Sequence, residues 1–239
     1  ASPGGPPTPP LWQGPPPPPR AAPPPAPPPP PPRLPALFTW PEDGGSFFNL
    51  GLTHTKSPVN GMRNLGLYRL QRHDKRTIGM HWQIHKNSHN HYQLAAQRGE
   101  RLPVAIAFGC PPAVTYASTA PLPGDMDEYL FAGFLQGKRV EMVDCKTVPL
   151  QVPAQAEVVL EGWLEPGEML PEGPFGDHTG FYTPQEPFPA LTIDCVTMRR
   201  RPLLQSRGVR RPAPPGGARG GAPAQRVRGP RTRRQRDRG

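Results

Sequence analysis

Four histidines crowd one short stretch of the chain, at His81, His85, His89 and His91. Imidazole is the commonest transition-metal ligand in proteins, so this stretch is a candidate metal site. If its beginning is a strand, the first two histidines share one face, while Trp82 and Ile84 pack on the other. The last two histidines also suit an exposed helix start, where they need no function.

Two carboxylates lie five residues apart in a segment that proline and glycine keep out of any regular helix. They are Glu172 and Asp177, within residues 170–180 (Leu-Pro-Glu-Gly-Pro-Phe-Gly-Asp-His-Thr-Gly). A rigid turn can bring both acids to one pocket, where burial and like charge would raise one pKa and make that acid a proton donor. The alternative is that both are turn carboxylates that accept hydrogen bonds from backbone N–H groups.

Three further polar residues have ordinary explanations when each is taken alone. Glu128 suits a capping box in which Asp125 is the N-cap of a helix. Asn64 is typical of a turn, and Arg69 lies in an alternating stretch typical of a strand. None of these residues decides a function by itself.

Short apolar runs between turn signals predict the elements that must position these side chains. The expected strands, of which the first two form a hairpin, are residues 66–72, 77–84, 102–108, 156–164 and 190–198. The expected helices are residues 88–98 and 126–136. Strands outnumber helices, so we expect an α+β domain whose core is a largely antiparallel sheet or small barrel, with helices packed at its side.

The 239 residues include 41 prolines and carry a formal net charge of +10, but both totals are unevenly distributed. Residues 1–35 hold 20 of the prolines, and residues 199–239 hold 14 arginines against a single acidic residue, Asp237. The middle carries a net charge of −5, so the pI of about 10.2 does not describe a folded basic domain. We therefore predict a disordered Pro-rich segment (1–35), one folded domain (36–205) and a disordered Arg/Gly/Pro-rich tail (206–239).

The basic tail has three competing interpretations. It is a nucleic-acid-binding extension, a linker, or a stretch translated out of frame from GC-rich DNA, which yields Arg, Gly, Pro and Ala. The abrupt change of composition near Ser206 favours the frameshift. Nucleic acid is therefore not the expected partner, although binding through the tail stays open as an alternative function.

Cysteine usage and hydropathy indicate an intracellular protein. Cys110, Cys145 and Cys195 are odd in number and widely spaced, which argues for reduced thiols rather than a disulfide framework. Apolar runs are too short for a membrane span, and the chain opens without the pattern of a secretory signal. We expect a cytoplasmic location.

Five separated blocks, in this order, resemble the UbiD family of prenylated-flavin-dependent decarboxylases. They are residues 64–69 (Asn-Leu-Gly-Leu-Tyr-Arg), 80–85 (Met-His-Trp-Gln-Ile-His), 121–133 (Pro-Leu-Pro-Gly-Asp-Met-Asp-Glu-Tyr-Leu-Phe-Ala-Gly), 152–162 (Val-Pro-Ala-Gln-Ala-Glu-Val-Val-Leu-Glu-Gly) and 171–182 (Pro-Glu-Gly-Pro-Phe-Gly-Asp-His-Thr-Gly-Phe-Tyr). The resemblance covers about residues 36–205. It implies a split, flavin-reductase-like antiparallel β-barrel, the middle domain of that family.

The resemblance also implies cofactors. Prenylated FMN is expected with a divalent metal, Mn²⁺ or Mg²⁺, and with K⁺ near Ala117 and Ser118. The metal ligands are expected at Asn64, His85 and Glu128, with His81 as the alternative histidine. An oxygen-rich set with one imidazole suits Mn²⁺ or Mg²⁺ better than Zn²⁺. The remaining expected cofactor contacts are Leu67, Tyr68, Arg69, His81, Trp82, Gln83, Lys86 and Asn87.

The family's catalytic trio falls on Arg69, Glu172 and Asp177. The implied reaction is reversible, non-oxidative loss of carbon dioxide from an aromatic or α,β-unsaturated acid. Examples are a 4-hydroxy-3-polyprenylbenzoate in ubiquinone biosynthesis and a naphthoate-type menaquinone precursor. Arg69 would hold the substrate carboxylate, Glu172 would orient Arg69, and Asp177, with a raised pKa, would donate the proton.

The resemblance implies partners and sets a limit. Family members depend on a flavin prenyltransferase for their cofactor and form homo-oligomers. They are roughly twice as long as this chain, and they have further domains at the positions of its Pro-rich and Arg-rich ends. We therefore expect the chain as written to be unstable or weakly active; an inactive truncated barrel is the second alternative to the enzyme.

Overall fold

A closed antiparallel barrel of six strands forms the centre of the protein, in the order β1-β2-β3-β10-β7-β4. Its structure, a computed structural model, describes residues 34–84, 86–123 and 126–207. The barrel strands are β1 (Ser46–Lys56), β2 (Arg63–Arg72), β3 (Thr77–Met80), β4 (Leu102–Phe108), β7 (Val158–Glu172) and β10 (Glu186–Met198). The predicted α+β fold with an antiparallel barrel is confirmed.

Short elements surround the barrel. The helices are α1 (Asn87–Gln97), α2 (Pro112–Ala117) and α3 (Glu128–Gln136). Two small antiparallel pairs join β5 (Met142–Asp144) with β6 (Gln151–Pro153) and β8 (Phe175–Gly176) with β9 (Tyr182–Thr183). The predicted helices are therefore present, and α1 matches its expected bounds to within one residue.

Apolar side chains fill the barrel and also cover one of its outer faces. Leu70, Ile106 and Leu191 are buried inside the barrel. Ala105 and Ala107 point the other way from β4 and pack with residues of α2 and α3. Because β4 is buried on both faces, its sequence is a continuous apolar run rather than an alternating one. Each fully buried Leu or Ile stabilises the fold by roughly 1.5–3 kcal/mol.

The second strand of the predicted hairpin ends earlier than expected. β3 stops at Met80, where the Trp82 N–H donates to the Met80 carbonyl and makes a turn. His81 therefore lies beyond the strand. The prediction that Trp82 and Ile84 both pack on the opposite face of a strand is wrong for Ile84, which is 77% exposed. His85 lies outside the described residues, so whether it shares a face with His81 stays a prediction.

β7 and β10 are longer than predicted because they continue beyond the barrel as a two-stranded arm. In this arm Glu172 pairs with Glu186, and Leu170 pairs with Phe188. The arm ends at Glu172, whose carboxylate binds Arg69 of β2 and whose side chain lies next to Gly79 of β3. Its length therefore fixes where this carboxylate lies.

α3 begins at Glu128, two residues later than predicted, and its N-cap is Asp127 rather than Asp125. The Asp127 carboxylate accepts a hydrogen bond from the Tyr129 N–H at 2.8 Å and forms an ion pair with Arg63 of β2. Asp125 lies outside the described residues. Residues 1–33 and 208–239, which make up most of the two predicted disordered segments, lie outside them as well. Within the described part of the chain, no helix is both long and apolar enough to cross a membrane.

All three cysteines lie among the described residues and have free thiols. Burial raises the pKa of the Cys110 and Cys145 thiols to about 12. The expectation of reduced thiols stays a prediction.

Candidate functional site

A buried ion pair joins two of the three predicted catalytic residues. Arg69 of β2 donates from Nε to Oε1 of Glu172 at 2.8 Å and from Nη2 to Oε2 at 2.9 Å. The Glu172 side chain is 0% exposed and that of Arg69 is 12% exposed. The guanidinium also lies over the ring of Phe175, 4.6 Å from its centroid. A bidentate pair held in this way positions the guanidinium for a planar anion.

His81 is the third member of this cluster. Its Nδ1 lies 3.0 Å from Oε2 of Glu172 and 3.0 Å from Nη2 of Arg69, and its ring packs on Phe188 at 4.4 Å between centroids. Because the carboxylate is the acceptor, Nδ1–H donates to Glu172. Although the resemblance assigns His81 to cofactor binding, the structure places it with the ion pair.

Two polar residues anchor the segment that follows Glu172. Gln71 of β2 accepts a hydrogen bond from the Gly173 N–H at 2.7 Å, and Asp43 accepts one from the Gly176 N–H at 2.8 Å. Neither residue belongs to a recognisable motif. Gln71 is two residues after Arg69 on the same strand, which places both side chains on the outer face of the barrel.

The pKa of Glu172 is lowered. Burial alone would raise the pKa of Glu172, but hydrogen bonds from His81 and Arg69, together with the Arg69 charge, outweigh burial. Glu172 is therefore ionised in this structure. A carboxylate with no solvent exposure keeps its charge only because these partners are present.

Asp177 lies between β8 and β9, and its pKa is lowered as well. Burial opposes its ionisation, but hydrogen bonds from the His178 side chain and backbone N–H outweigh that effect, and the charge of Arg69 adds to them. The prediction of a raised pKa for Asp177 is therefore wrong in this structure. The adjacent exposed histidine supplies a donor that an isolated acid pair would lack.

A cavity of about 710 Å³ opens beside α3 and the first half of β2. The predicted metal ligands Asn64 and Glu128 line it. So do five of the predicted cofactor contacts, which are Leu67, Tyr68, Lys86, Asn87 and Ser118. Residues from four separate parts of the sequence therefore meet at one concave surface, as a cofactor site requires.

Close packing shapes the wall of this cavity. Asn64 Nδ2 donates to Ser88 Oγ at 2.8 Å, and the Tyr68 hydroxyl lies 3.1 Å from the same oxygen. The Tyr68 ring lies directly over Gly66, where a Cβ atom would come within 2.5 Å of the ring. Glycine is needed in this block because any side chain would displace Tyr68.

The donor chemistry of the cavity fits a hard divalent cation. Burial raises the pKa of Glu128 despite hydrogen bonds from the backbone of Glu128 and Leu65, and a nearby cation would reverse this effect. The Asn64 amide and the Glu128 carboxylate supply oxygen ligands of the kind that Mn²⁺ and Mg²⁺ accept. Among the described residues, no three His, Cys, Asp or Glu side chains cluster as a metal site, and His85 lies outside them.

Other predicted cofactor residues do not line this cavity. Trp82 is 1% exposed and packs in the core against Tyr68. Ala117 is buried under α3, and Gln83 is exposed. Arg69 and His81 form the ion-pair cluster with Glu172 and do not line the cavity.

The closed antiparallel barrel, with helices packed against one side, defines a split β-barrel domain. Residues 32–212 match the model of the UbiD family, described as the 3-octaprenyl-4-hydroxybenzoate carboxy-lyase Rift-related domain. The chain belongs to this family.

Relatives and solved structures agree with this assignment. The chain is 48% identical over 180 residues to an uncharacterized protein of Aquifex aeolicus, covering 75% of this chain and 37% of that protein. It is 46% identical over 181 residues to an uncharacterized protein of Archaeoglobus fulgidus, covering 75% of this chain and 38% of that protein. The chain thus spans less than two-fifths of the length of these relatives.

Two solved structures share the fold. The UbiD-class enzyme HmfF from Pelotomaculum thermopropionicum, in complex with FMN, is 33% identical with a TM-score of 0.70, covering 72% of this chain and 39% of that one. The 3,4-dihydroxybenzoic acid decarboxylase AroY of Klebsiella pneumoniae, in its apo form, is 28% identical with a TM-score of 0.66, covering 73% and 38%.

Proposed function

We propose that this chain is the flavin-binding barrel of a prenylated-FMN-dependent decarboxylase. Its substrate would be an aromatic or α,β-unsaturated carboxylic acid. The observation that carries the proposal is that one strand, β2, contributes both Arg69 of the buried Arg69–Glu172 pair and Asn64 of the cavity that Glu128 also lines. Support comes from the family and from the HmfF structure, whose flavin is named as FMN.

The cavity residues would hold the cofactor. Asn64, Glu128 and His85 would bind Mn²⁺ or Mg²⁺, which would supply positive charge for the flavin phosphate. Lys86 and Asn87 would contact the phosphate, with K⁺ near Ala117 and Ser118. When bound, prenylated flavin supplies the electron sink for decarboxylation.

The ion-pair cluster would act on the substrate. Arg69 would bind the substrate carboxylate while Glu172 orients the guanidinium. Loss of carbon dioxide must be followed by protonation of the carbon that carried it, and Asp177 would deliver that proton. Because Asp177 is ionised and its side chain is 28% exposed, it would first take the proton from solvent.

Finer parts of the proposal rest on the family alone. A polyprenylated hydroxybenzoate or a naphthoate-type acid is the proposed substrate, and a flavin prenyltransferase is the proposed supplier of the cofactor. A cytoplasmic location and the division into residues 1–35, 36–205 and 206–239 are also part of the proposal, and both come from the composition of the sequence. Nucleic-acid binding through the tail stays a prediction from composition, because the tail lies almost wholly outside the described residues.

The reaction can be tested in deuterated water. Chain purified after co-expression with a flavin prenyltransferase would be incubated with a panel of aromatic and α,β-unsaturated acids. Decarboxylation converts the carboxylate and one deuteron into carbon dioxide and a product with one deuterium on the carbon that carried the carboxyl group. We expect such a product from at least one acid and a loss of at least 100-fold in Arg69→Ala. Failure with every acid, by cofactor-loaded protein, would contradict the proposal.

A further inference from the structure

The segment that leads into β1 holds the hairpin of β8 and β9 in place through one buried carboxylate. Asp43 accepts hydrogen bonds at Oδ2 from the Thr39 N–H at 3.1 Å and from the Trp40 N–H at 2.8 Å. Its Oδ1 accepts one from the Gly176 N–H at 2.8 Å, 133 positions along the chain. Residues 39–44, the clasp, are thereby tied to β8.

Aromatic packing ties the clasp to the hairpin a second time. The Trp40 ring lies over Gly176, where a Cβ atom would overlap the ring. It also meets the Tyr182 ring of β9 edge to face, at 5.0 Å between centroids. The Tyr182 hydroxyl accepts a hydrogen bond from the Glu42 N–H at 3.0 Å. Both strands of the hairpin therefore contact the clasp.

Gly176 lies between the residue that supports Arg69 and the proposed proton donor. The ring of Phe175, which precedes Gly176, lies 4.6 Å from the Arg69 guanidinium. Asp177 follows Gly176 directly. Because Asp43 fixes the N–H of Gly176, it also sets the direction in which the backbone continues to Asp177.

The part of this segment that supports the ion pair has its own anchors. Gln71 accepts a hydrogen bond from the Gly173 N–H at 2.7 Å, and the buried Phe175 ring packs on Phe47 at 4.8 Å between centroids. Loss of the Asp43 carboxylate leaves both contacts in place. It should therefore loosen the chain after Phe175 and spare the ion pair.

We propose that Asp43 is a positioning residue for proton delivery, which holds Asp177 in place by fixing Gly176. The inference rests on the proposed function, in which the Asp177 carboxyl gives its proton to the carbon that carbon dioxide left, and solvent returns the proton to Asp177. Misplacement of a reacting group by about 1 Å can cost about 100-fold in rate. Substrate binding at Arg69 does not depend on Asp43, so the loss should fall on kcat.

Two substitutions separate the hairpin from the clasp by different routes. Asp43→Asn keeps the shape of the side chain and one oxygen, but its Nδ2 is a donor. An oxygen that serves the Thr39 and Trp40 N–H groups therefore leaves Nδ2 facing the Gly176 N–H. Gly176→Ala leaves Asp43 unchanged and places a Cβ atom against the Trp40 ring. It keeps the test decisive if Asp43→Asn does not fold.

Amide hydrogen exchange of the full chain without cofactor measures whether the clasp holds the hairpin. We expect exchange over residues 175–183 to be about tenfold faster in Asp43→Asn and Gly176→Ala, with the exchange of β4 and β7 unchanged. Asp74→Asn is the matched control, because Asp74 accepts backbone N–H groups in the β2–β3 turn, from Arg76 at 2.7 Å and Thr77 at 2.8 Å. It should exchange like the wild type over residues 175–183.

Steady-state kinetics of the flavin-loaded chain then separate positioning from a general loss of structure. The substrate would be whichever of 3,4-dihydroxybenzoate, 4-hydroxybenzoate and cinnamate the wild type decarboxylates fastest. We expect kcat to fall about 10–100-fold in Asp43→Asn and Gly176→Ala, with KM within about threefold of the wild type. The amount of prenylated flavin per chain should not change, because the clasp does not line the cofactor cavity. Asp74→Asn should keep the wild-type kcat.

Three results would overturn the inference. They are unchanged exchange over residues 175–183 in both variants, faster exchange with a wild-type kcat, and a fall in kcat matched by an equal fall in bound flavin. All three leave the proposed function standing, since the wild type still turns over. Absence of turnover by the flavin-loaded wild type with every acid would contradict both proposals, because both place a substrate carboxylate at Arg69.

Discussion

The Tyr129 hydroxyl donates a hydrogen bond to Nε2 of His54 and so joins the first turn of α3 to β1 in the protein interior. The other ring nitrogen of His54 donates to the Ala105 carbonyl at 3.1 Å. Both nitrogens of this buried imidazole are therefore satisfied in its neutral form. The bond holds the first turn of α3 in place, and this turn includes Glu128, whose carboxylate lines the cavity.

Removal of that hydroxyl should weaken the fold. Tyr129→Phe leaves Nε2 of His54 buried without a donor, which costs about 1–3 kcal/mol. The free energy of unfolding, measured by urea denaturation, should fall by that amount. Tyr116→Phe removes a hydroxyl from an exposed tyrosine and should change stability by less than about 0.5 kcal/mol. Equal effects of the two substitutions would contradict the role of the bond.

Stability should fall as the pH is lowered from 7 to 5. Burial lowers the pKa of His54 from 6.5 to about 4, so the unfolded chain binds its proton more tightly than the folded chain does. The stabilisation is complete above pH 6.5 and is lost as pH falls towards 4, by at most about 1.4 kcal/mol per pH unit for this residue. Urea denaturation at pH 7, 6 and 5 measures the slope. A free energy of unfolding that stays constant or rises as the pH is lowered from 7 to 5 would be inconsistent with a buried neutral histidine.

Gly66→Ala should disturb the cavity wall. Its Cβ would come within 2.5 Å of the Tyr68 ring and displace it, which we expect to cost about 1–3 kcal/mol and to weaken flavin retention. The same substitution in a Tyr68→Ala background should cost less, because the clash is gone. A double-mutant cycle in urea measures the difference; additive effects would show that Tyr68 is not the obstacle.

Arg69→Ala should destabilise the chain by about 3–5 kcal/mol, because it leaves the completely buried Glu172 carboxylate without its main partner. Glu172→Gln in the same chain removes the unpaired charge and should restore part of this loss. Thermal unfolding of the two single variants and the double variant gives the comparison. A double variant no more stable than Arg69→Ala would contradict the ion pair as the cause.

The sequence predicts the local features of this fold well. Residues 102–108 are a strand with the expected bounds because a short apolar run between turn signals is a local property. The blocks that carry the family resemblance also predict that Asn64 and Glu128 lie together, and both line one cavity. Their role as metal ligands stays a prediction, which only the combined motifs make, because each residue taken alone is ordinary.

Long-range geometry is what the sequence could not supply. The contact of His81 with Glu172 joins residues 91 positions apart, and it depends on an arm whose length no local pattern sets. Whether the pKa of Asp177 is raised or lowered depends on how the His178 ring turns towards the carboxylate. The alternating pattern of apolar and polar residues also predicted that the second hairpin strand continues past Met80. The strand stops there because backbone hydrogen bonds make a turn at a position without a typical turn residue.

The most direct test of the central claim is whether the chain retains prenylated flavin. After co-expression with a flavin prenyltransferase and desalting, absorbance and mass spectrometry of the released small molecule give the amount per chain. We predict close to one prenylated FMN per wild-type chain, a loss of at least tenfold in Asn64→Ala and Glu128→Ala, and full retention in Glu168→Ala, which changes an exposed carboxylate. A folded wild-type barrel without flavin, or equal retention by all variants, would contradict the claim.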